Sequence, residues 1–261
     1  MSGTPAVGAV GTYRSDCAVV ALPIDDVRAM LPAGVIPGAQ TLAPAGHHPV
    51  IFMFGRHSGV HPVFLPIRGG SYHEMITAVP FLDYPDAGAA RGRGACRGPY
   101  AFMPRLYLDD WIFVVLGWFY GYDKVRARID DTGDAYRVRS LVRRRPIVSG
   151  RFPPRGDAGP VSKFPNFAAV APAFQQPFLG KLFFGPILCS IMNFELEKAL
   201  MRPVEARIEV ETSYLPGMPA REFRVPGIDA SPLGAFHIEV PWTLSYPMRC
   251  ACLPGGAGEK P

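Results

Sequence analysis

Proline and glycine punctuate this chain too densely for long helices. Of 261 residues, 29 are proline and 28 glycine, with no Gly-X-Y period. Each proline removes a backbone donor, and each glycine adds freedom that a regular element must freeze. Coiled coils, long helical bundles and collagen are excluded on that ground. Hydrophobic residues make up 48% and charged residues 19%, which is enough apolar side chain to close a core. The expectation is one mainly β domain over residues 1–261, with α+β character at the margins and a few short helices.

The basic residues are unevenly chosen. Net charge is +5, yet only five of the 27 basic side chains are lysines: Lys124, Lys163, Lys181, Lys198 and Lys260. Arginine could have supplied a plain surface charge at any of these positions, so each lysine invites a chemical question. A modest positive excess suits anionic substrates. Arg137, Arg139, Arg143, Arg144 and Arg145 read as a solvated sheet face, and no nucleic-acid motif accompanies them. The odd cysteine count (Cys17, Cys96, Cys189, Cys250, Cys252) follows no framework spacing, which points to reduced thiols and a cytoplasmic protein. The N-terminus lacks the pattern of a signal peptide. The longest uncharged stretch, residues 164–180, is broken by Pro165, Pro172 and Pro177, so no membrane partner is expected.

Ile24, Val27, Met30 and Leu31 fall at helical spacing between Pro23 and Pro32, with Asp25 and Asp26 in the first turn, and predict a short helix. Strands are predicted over 50–54, 73–79, 106–108, 112–116, 136–142, 206–212, 222–225 and 236–244. Residues 187–200 read as a second helix. Residues 86–98 form a cationic, glycine-rich loop, either a surface excursion or a lid. The apolar stretch 164–193 covers one mouth of the β structure, as core or as pocket wall.

The segment around Lys124 is the most informative. Trp118, Phe119, Tyr120 and Tyr122 crowd ahead of it, and an extended backbone would put Trp118, Tyr120, Tyr122 and Lys124 on one side, Asp123 on the other. An ammonium in that company loses hydration, which favours the neutral amine. Such an amine attacks a ketone and forms a Schiff base, which then draws electrons from the neighbouring carbon. The competing reading is a strand-end lysine reaching out to solvent.

Leu106-Tyr107-Leu108-Asp109-Asp110 and Tyr120-Gly121-Tyr122-Asp123-Lys124, with Ser71-Tyr72-His73-Glu74-Met75 and Ala78-Val79-Pro80 upstream, resemble the acetoacetate decarboxylase-like superfamily. The helix at 24–32 and the closing elements at 231–233 and 236–246 resemble that family too. The resemblance implies a curved antiparallel sheet closing into a cone-shaped β-barrel, a buried catalytic lysine at Lys124, and a homo-oligomer. It also implies a lyase working on a keto acid without a dissociable cofactor. Departures stand beside the matches. The family's second lysine is Val125, its Gly-Arg-Glu is Gly117-Trp118-Phe119, its proline is Asp123, and its cavity glutamate falls near Arg56-His57-Ser58-Gly59, where no acid stands. These losses argue against true acetoacetate decarboxylation and toward aldol and dehydration chemistry.

Other candidates follow. His57 is a proton carrier or a loop histidine. Tyr72 and Glu74 share a strand face and would hold a substrate oxygen and a water. Arg14 would fork a carboxylate, and Tyr120 and Tyr122 would line the substrate site. His47, His48, His57 and His61 lack metal-site spacing, so no metal is expected. The leading expectation is therefore a Schiff-base enzyme with Lys124, Glu74 and His57 as catalytic groups and Arg14, Tyr72, Tyr120 and Tyr122 as binding groups. The alternative is a non-covalent binding, cyclase or isomerase barrel for a larger apolar, polyketide-like metabolite. A third reading is a filled barrel serving only as a scaffold.

Overall fold

The computed structural model describes residues 6–64, 69–85, 98–142, 144–181, 185–211, 214–215 and 218–250. β1 (Val7–Pro23) leads through α1 (Ile24–Met30) and β2 (Ile36–Pro37) to β3 (His47–Pro62) and β4 (Gly70–Asp83). β1 pairs antiparallel with β3, and β3 with β4. There follow β5 (Tyr100–Phe102), β6 (Leu106–Leu108), α2 (Trp111–Phe119), β7 (Lys124–Asp131), β8 (Ala135–Ser140) and β9 (Pro146–Arg151). β6 and β7 run parallel, and α2 is the crossover that parallel neighbours require. The chain continues with β10 (Gly159–Pro160), α3 (Phe167–Val170), β11 (Phe178–Lys181), β12 (Ile187–Ser190) and β13 (Met192–Phe194). It ends in β14 (Leu200–Val204), β15 (Ala206–Val210), β16 (Arg221–Val225), β17 (Ala235–Ser245) and β18 (Met248–Arg249).

Strand accounts for 53% and helix for 14%, in one large mixed sheet. Most pairings are antiparallel; β6–β7 and β5–β11 are parallel. Among the described residues the sheet is not closed into a barrel, so the expected closed cone is not borne out. Alternation along the long strands divides the core in two. Ala18, Val20, Phe52, Phe54, Met75 and Val79 fill one side. Cys17, Val19, Ile51, Met53, Ile76 and Ala78 fill the other. Burial on both faces is why residues 50–54 of β3 read as an unbroken apolar run in sequence.

Several expectations need correction. Residues 112–116 are not a strand but the centre of α2. Their β-branched and aromatic side chains favour strands, but the caps decide otherwise. The Asp110 carboxylate accepts from the Ile112 N–H at 2.8 Å, the N-cap arrangement that satisfies an otherwise orphaned donor. At the other end Gly121 N–H donates to Trp118 O (3.0 Å) and Tyr122 N–H to Gly117 O (3.1 Å). With Gly121 at φ +77°, this is a Schellman motif. A second reason binds that glycine: a methyl there would lie 2.8 Å from the Gly180 carbonyl carbon in β11.

Residues 187–200 form β12, β13 and a 3-10 turn (Leu196–Lys198) rather than a helix. β12 pairs with β11 and β18, and β13 pairs with β17; those partners outweigh the local helical spacing. Within the stretch 164–193, Phe167, Phe174 and Phe178 are buried in the core. The expectation of reduced thiols also fails, because Cys189 and Cys250 form a disulfide with Cα atoms 4.9 Å apart. The pairing of β12 with β18 brings them together across 61 residues, a proximity that no sequence spacing encodes. Cys17 is a buried free thiol. Residues 86–97, most of the expected cationic loop, lie outside the described residues. No described helix is long and apolar enough to cross a membrane.

Gly121→Ala combines a disfavoured backbone conformation with a backbone collision. We expect it to lower unfolding free energy by about 1–3 kcal/mol, measured by chemical denaturation, and to loosen Lys124 with it.

Candidate active site

Lys124 opens β7 three residues after the turn that ends α2. Its stem runs beneath the helix at Gly117. A methyl on Gly117 would meet the Lys124 side chain, 2.5 Å from Cε and closer still to Cδ, so the missing side chain is what admits the lysine. The indole N–H of Trp118 donates to the Lys124 carbonyl at 3.0 Å, fastening the strand to the helix. The expectation of one extended tract from Trp118 to Lys124 is therefore corrected. Helix and turn separate these residues, yet the lysine still arrives buried.

The amine reaches β4. Lys124 Nζ lies 3.0 Å from Glu74 Oε1, and Glu74 Oε2 lies 3.1 Å from His57 Nε2. Lys124 is 9% exposed, Glu74 3% and His57 1%. The register explains the meeting: Tyr72 and Glu74 stand two apart on β4, Tyr72 lies opposite His57, and His57 lies opposite Tyr13 on β1. Glu74 lies opposite Leu108 on β6, two residues beyond the Leu106 that faces Lys124. Aromatic rings floor the site. Phe113 stacks on Tyr72 (centroids 4.1 Å), Tyr72 on His57 (4.9 Å) and His57 on Tyr13 (4.1 Å), while Trp242 meets His57 edge-on at 5.4 Å. The Lys124 nitrogen sits 5.6 Å from the Tyr72 ring centroid.

Burial alone would raise Glu74, but the Lys124 charge and the His57 hydrogen bond outweigh it and hold the carboxyl below its ordinary range. Burial pushes His57 down, against the pull of Glu74, so its imidazole is neutral at pH 7. A neutral ring facing an ionised carboxylate carries its proton on Nε2 and donates it. Burial drives the Tyr13 and Tyr72 phenols well above their ordinary value, with Glu74 adding to both. This is a buried, aromatic enclosure holding a charge pair, a proton carrier and un-ionised phenols.

Sequence reasoning named Lys124, Glu74, His57 and Tyr72, and the fold brings all four together. Arg14 is not with them. It is exposed, while its neighbours Tyr13 and Ser15 are buried, so strand alternation turns it to the opposite face from His57. The Tyr122 hydroxyl is engaged with Ser190, and Tyr120 stacks on Tyr122 at 5.9 Å. Val125 packs against the other core. Tyr13, Phe113, Gly117 and Trp242 were missed. Only Tyr13 left a trace in sequence, two residues from Ser15 at the start of an apolar run. No three metal-ligating side chains converge among the described residues. A surface cleft of about 440 Å³ beside Lys124 is lined by Trp111, Val114, Val115 and Trp118.

No protein-family model matches the chain, and no curated protein matches it. Solved structures do. The enduracididine biosynthesis enzyme MppR, complexed with the condensation product of pyruvate and imidazole 4-carboxaldehyde, superposes with a TM-score of 0.60 at 13% identity, covering 97% of this chain and 92% of MppR. Acetoacetate decarboxylase from Legionella pneumophila gives 0.59 at 14% identity, covering 94% of this chain and 87% of that one. An acetoacetate decarboxylase-like enzyme from Sphingomonas wittichii RW1 gives 0.60 at 11%, covering 94% and 93%. The chain thus has the fold of acetoacetate decarboxylase and its structural relatives. At these identities the likeness speaks to the fold alone.

The two depressed groups make stability depend on pH in one direction. The unfolded chain protonates His57 near 6.5 and Glu74 near 4.5, before the folded chain does, so acid favours unfolding. Unfolding free energy should fall from pH 7 toward 5 through His57 and the likewise depressed His48, then fall further below 4.5 as Glu74 is neutralised. His57→Gln should flatten part of the upper limb and leave the lower one, as read by urea denaturation across pH.

Proposed function

We propose that this protein is a Schiff-base-forming enzyme acting on a keto acid, with Lys124 as nucleophile and Glu74 as its proton partner. The observation that carries the reading is the buried contact of Lys124 Nζ with Glu74 Oε1 at 3.0 Å, in an aromatic enclosure. Glu74 first takes a proton from the ammonium, and the freed amine attacks the ketone carbon. A second proton passes from nitrogen to the new alkoxide, giving the carbinolamine, and Glu74 returns the first to its hydroxyl, which departs as water and leaves an iminium. The iminium then accepts electrons from the adjacent carbon, either as CO₂ leaves or as Glu74 removes a proton before a carbon–carbon bond forms. His57 Nε2–H holds the second carboxylate oxygen and fixes the acid's orientation. MppR, of the same fold, is known with pyruvate bound, which supports a small keto acid as the first substrate to try. The missing second cation at Val125 and the outward Arg14 favour aldol and dehydration chemistry over acetoacetate decarboxylation.

Borohydride with pyruvate or acetoacetate should leave a reduced adduct whose mass maps to Lys124, and Lys124→Arg should abolish it. Absence of an adduct across a keto-acid panel, with activity surviving Lys124→Arg, would establish the non-covalent binding or cyclase reading instead. Glu74→Gln leaves Lys124 without its counter-ion, so it should lower the unfolding free energy by about 3–5 kcal/mol, and in the protein that stays folded it should lower kcat by about 10²- to 10⁴-fold, the range for a positioned acid–base group.

A further inference from the structure

Besides Glu74 Oε1, which is ion-paired with Lys124, three buried polar atoms on touching side chains have no hydrogen-bond partner among the described residues: Tyr13 Oη, His57 Nδ1 and Trp242 Nε1. Their residues are 1%, 1% and 3% exposed. Tyr13 stacks on His57 at 4.1 Å, and Trp242 meets the same imidazole edge-on at 5.4 Å. An orphaned buried group bears the full cost of lost hydration, so a knot of three calls for a guest. The knot adjoins the lysine site through His57, whose other nitrogen donates to Glu74.

The chemistry of the orphans defines that guest. Trp242 Nε1–H can only donate. The Tyr13 phenol is protonated and can donate or accept. His57 Nδ1, with the proton committed to Nε2, can only accept. A carboxylate or a ketone would satisfy the donors and leave the imidazole lone pair facing another lone pair. It would also lack a cation, since Arg14 faces away. One neutral group both accepts from an N–H or O–H and donates to a ring nitrogen: a hydroxyl.

Resting on the Schiff-base reading, we propose that Tyr13, His57 and Trp242 form a subsite for a hydroxyl on the substrate's far end, so that the substrate class is hydroxylated keto acids. An internal water would satisfy the same three atoms, and the test separates the two sources. Two matched pairs serve as probes, 2-oxobutanoate with 4-hydroxy-2-oxobutanoate and phenylpyruvate with 4-hydroxyphenylpyruvate, titrated calorimetrically against the intact chain. We expect the hydroxylated member of at least one pair to bind about tenfold tighter, the worth of one well-placed buried hydrogen bond. Tyr13→Phe, which keeps the ring, should weaken the hydroxylated member more than its deoxy partner and bring that ratio toward one. Equal affinities within both pairs, or no binding of any of the four, would overturn the proposal and leave a water as the guest. So would Tyr13→Phe weakening both members alike. Borohydride trapping of the same four compounds keeps the two readings apart. A hydroxyl preference without an adduct sinks the imine and leaves the subsite, whereas adducts without a preference do the reverse.

Discussion

A lysine ammonium and a glutamate carboxylate held together away from water set the terms for everything around them. Transferring either ion alone into such an enclosure costs several kcal/mol, on the order that a whole domain has to spare. The pair is tolerable only because each charge has the other at 3.0 Å and because His57 satisfies the second carboxylate oxygen. The geometry is also exacting on the backbone. Lys124 and Glu74 lie on strands separated by β6, so the lysine must lie flat across the sheet, and something must cover it without filling its path. α2 does so, with a glycine where the stem passes.

This recasts the motif that first drew attention to the segment. Asp110 caps α2, and Asp109 accepts from the backbone N–H and the imidazole of His73 on the outer side of β4. Gly121 closes the Schellman turn, and Tyr107 faces the other core, where its hydroxyl donates to the Tyr214 carbonyl. None of these touches the amine. The spacing is an aiming device: cap, helix, turn and strand together deliver one side chain to one carboxylate. Similar residues can therefore hold a lysine in place in proteins whose reactions differ.

The parts legible in sequence were those whose cause is local. α1 announced itself by spacing and bounding prolines, and β6 and β15 began where alternation said they should. β1, at 17 residues the longest strand, escaped because burial on both faces removes alternation. α2 escaped because its interior favours strand; only the Asp110 cap and the Gly121 turn, read as a pair eleven residues apart, carry the helical signal. In the site, Glu74 and Tyr72 were found from their shared strand face. Tyr13 and Trp242 were not, since their meeting with His57 depends on the register of β1 between β3 and β17. Register across strands this distant in sequence is written in the sum of core contacts, not in any one segment.

The charge inventory of the enclosure says how the proposed reaction would run. In the resting state and in the iminium the nitrogen is positive, so Glu74 stays paired. Departure of CO₂ makes a neutral enamine and strands the carboxylate beside an uncharged group in a buried site, whereas removal of a proton from the neighbouring carbon makes the same enamine with that proton held on Glu74. That imbalance drives the enamine to bond an electrophile at carbon, whether a proton or a second carbonyl, because either event restores the iminium and its counter-charge. A second lysine would have shared the burden and softened the drive. With valine next in sequence and Arg14 turned outward, the single ion pair carries it alone, which favours an enamine that is consumed in place.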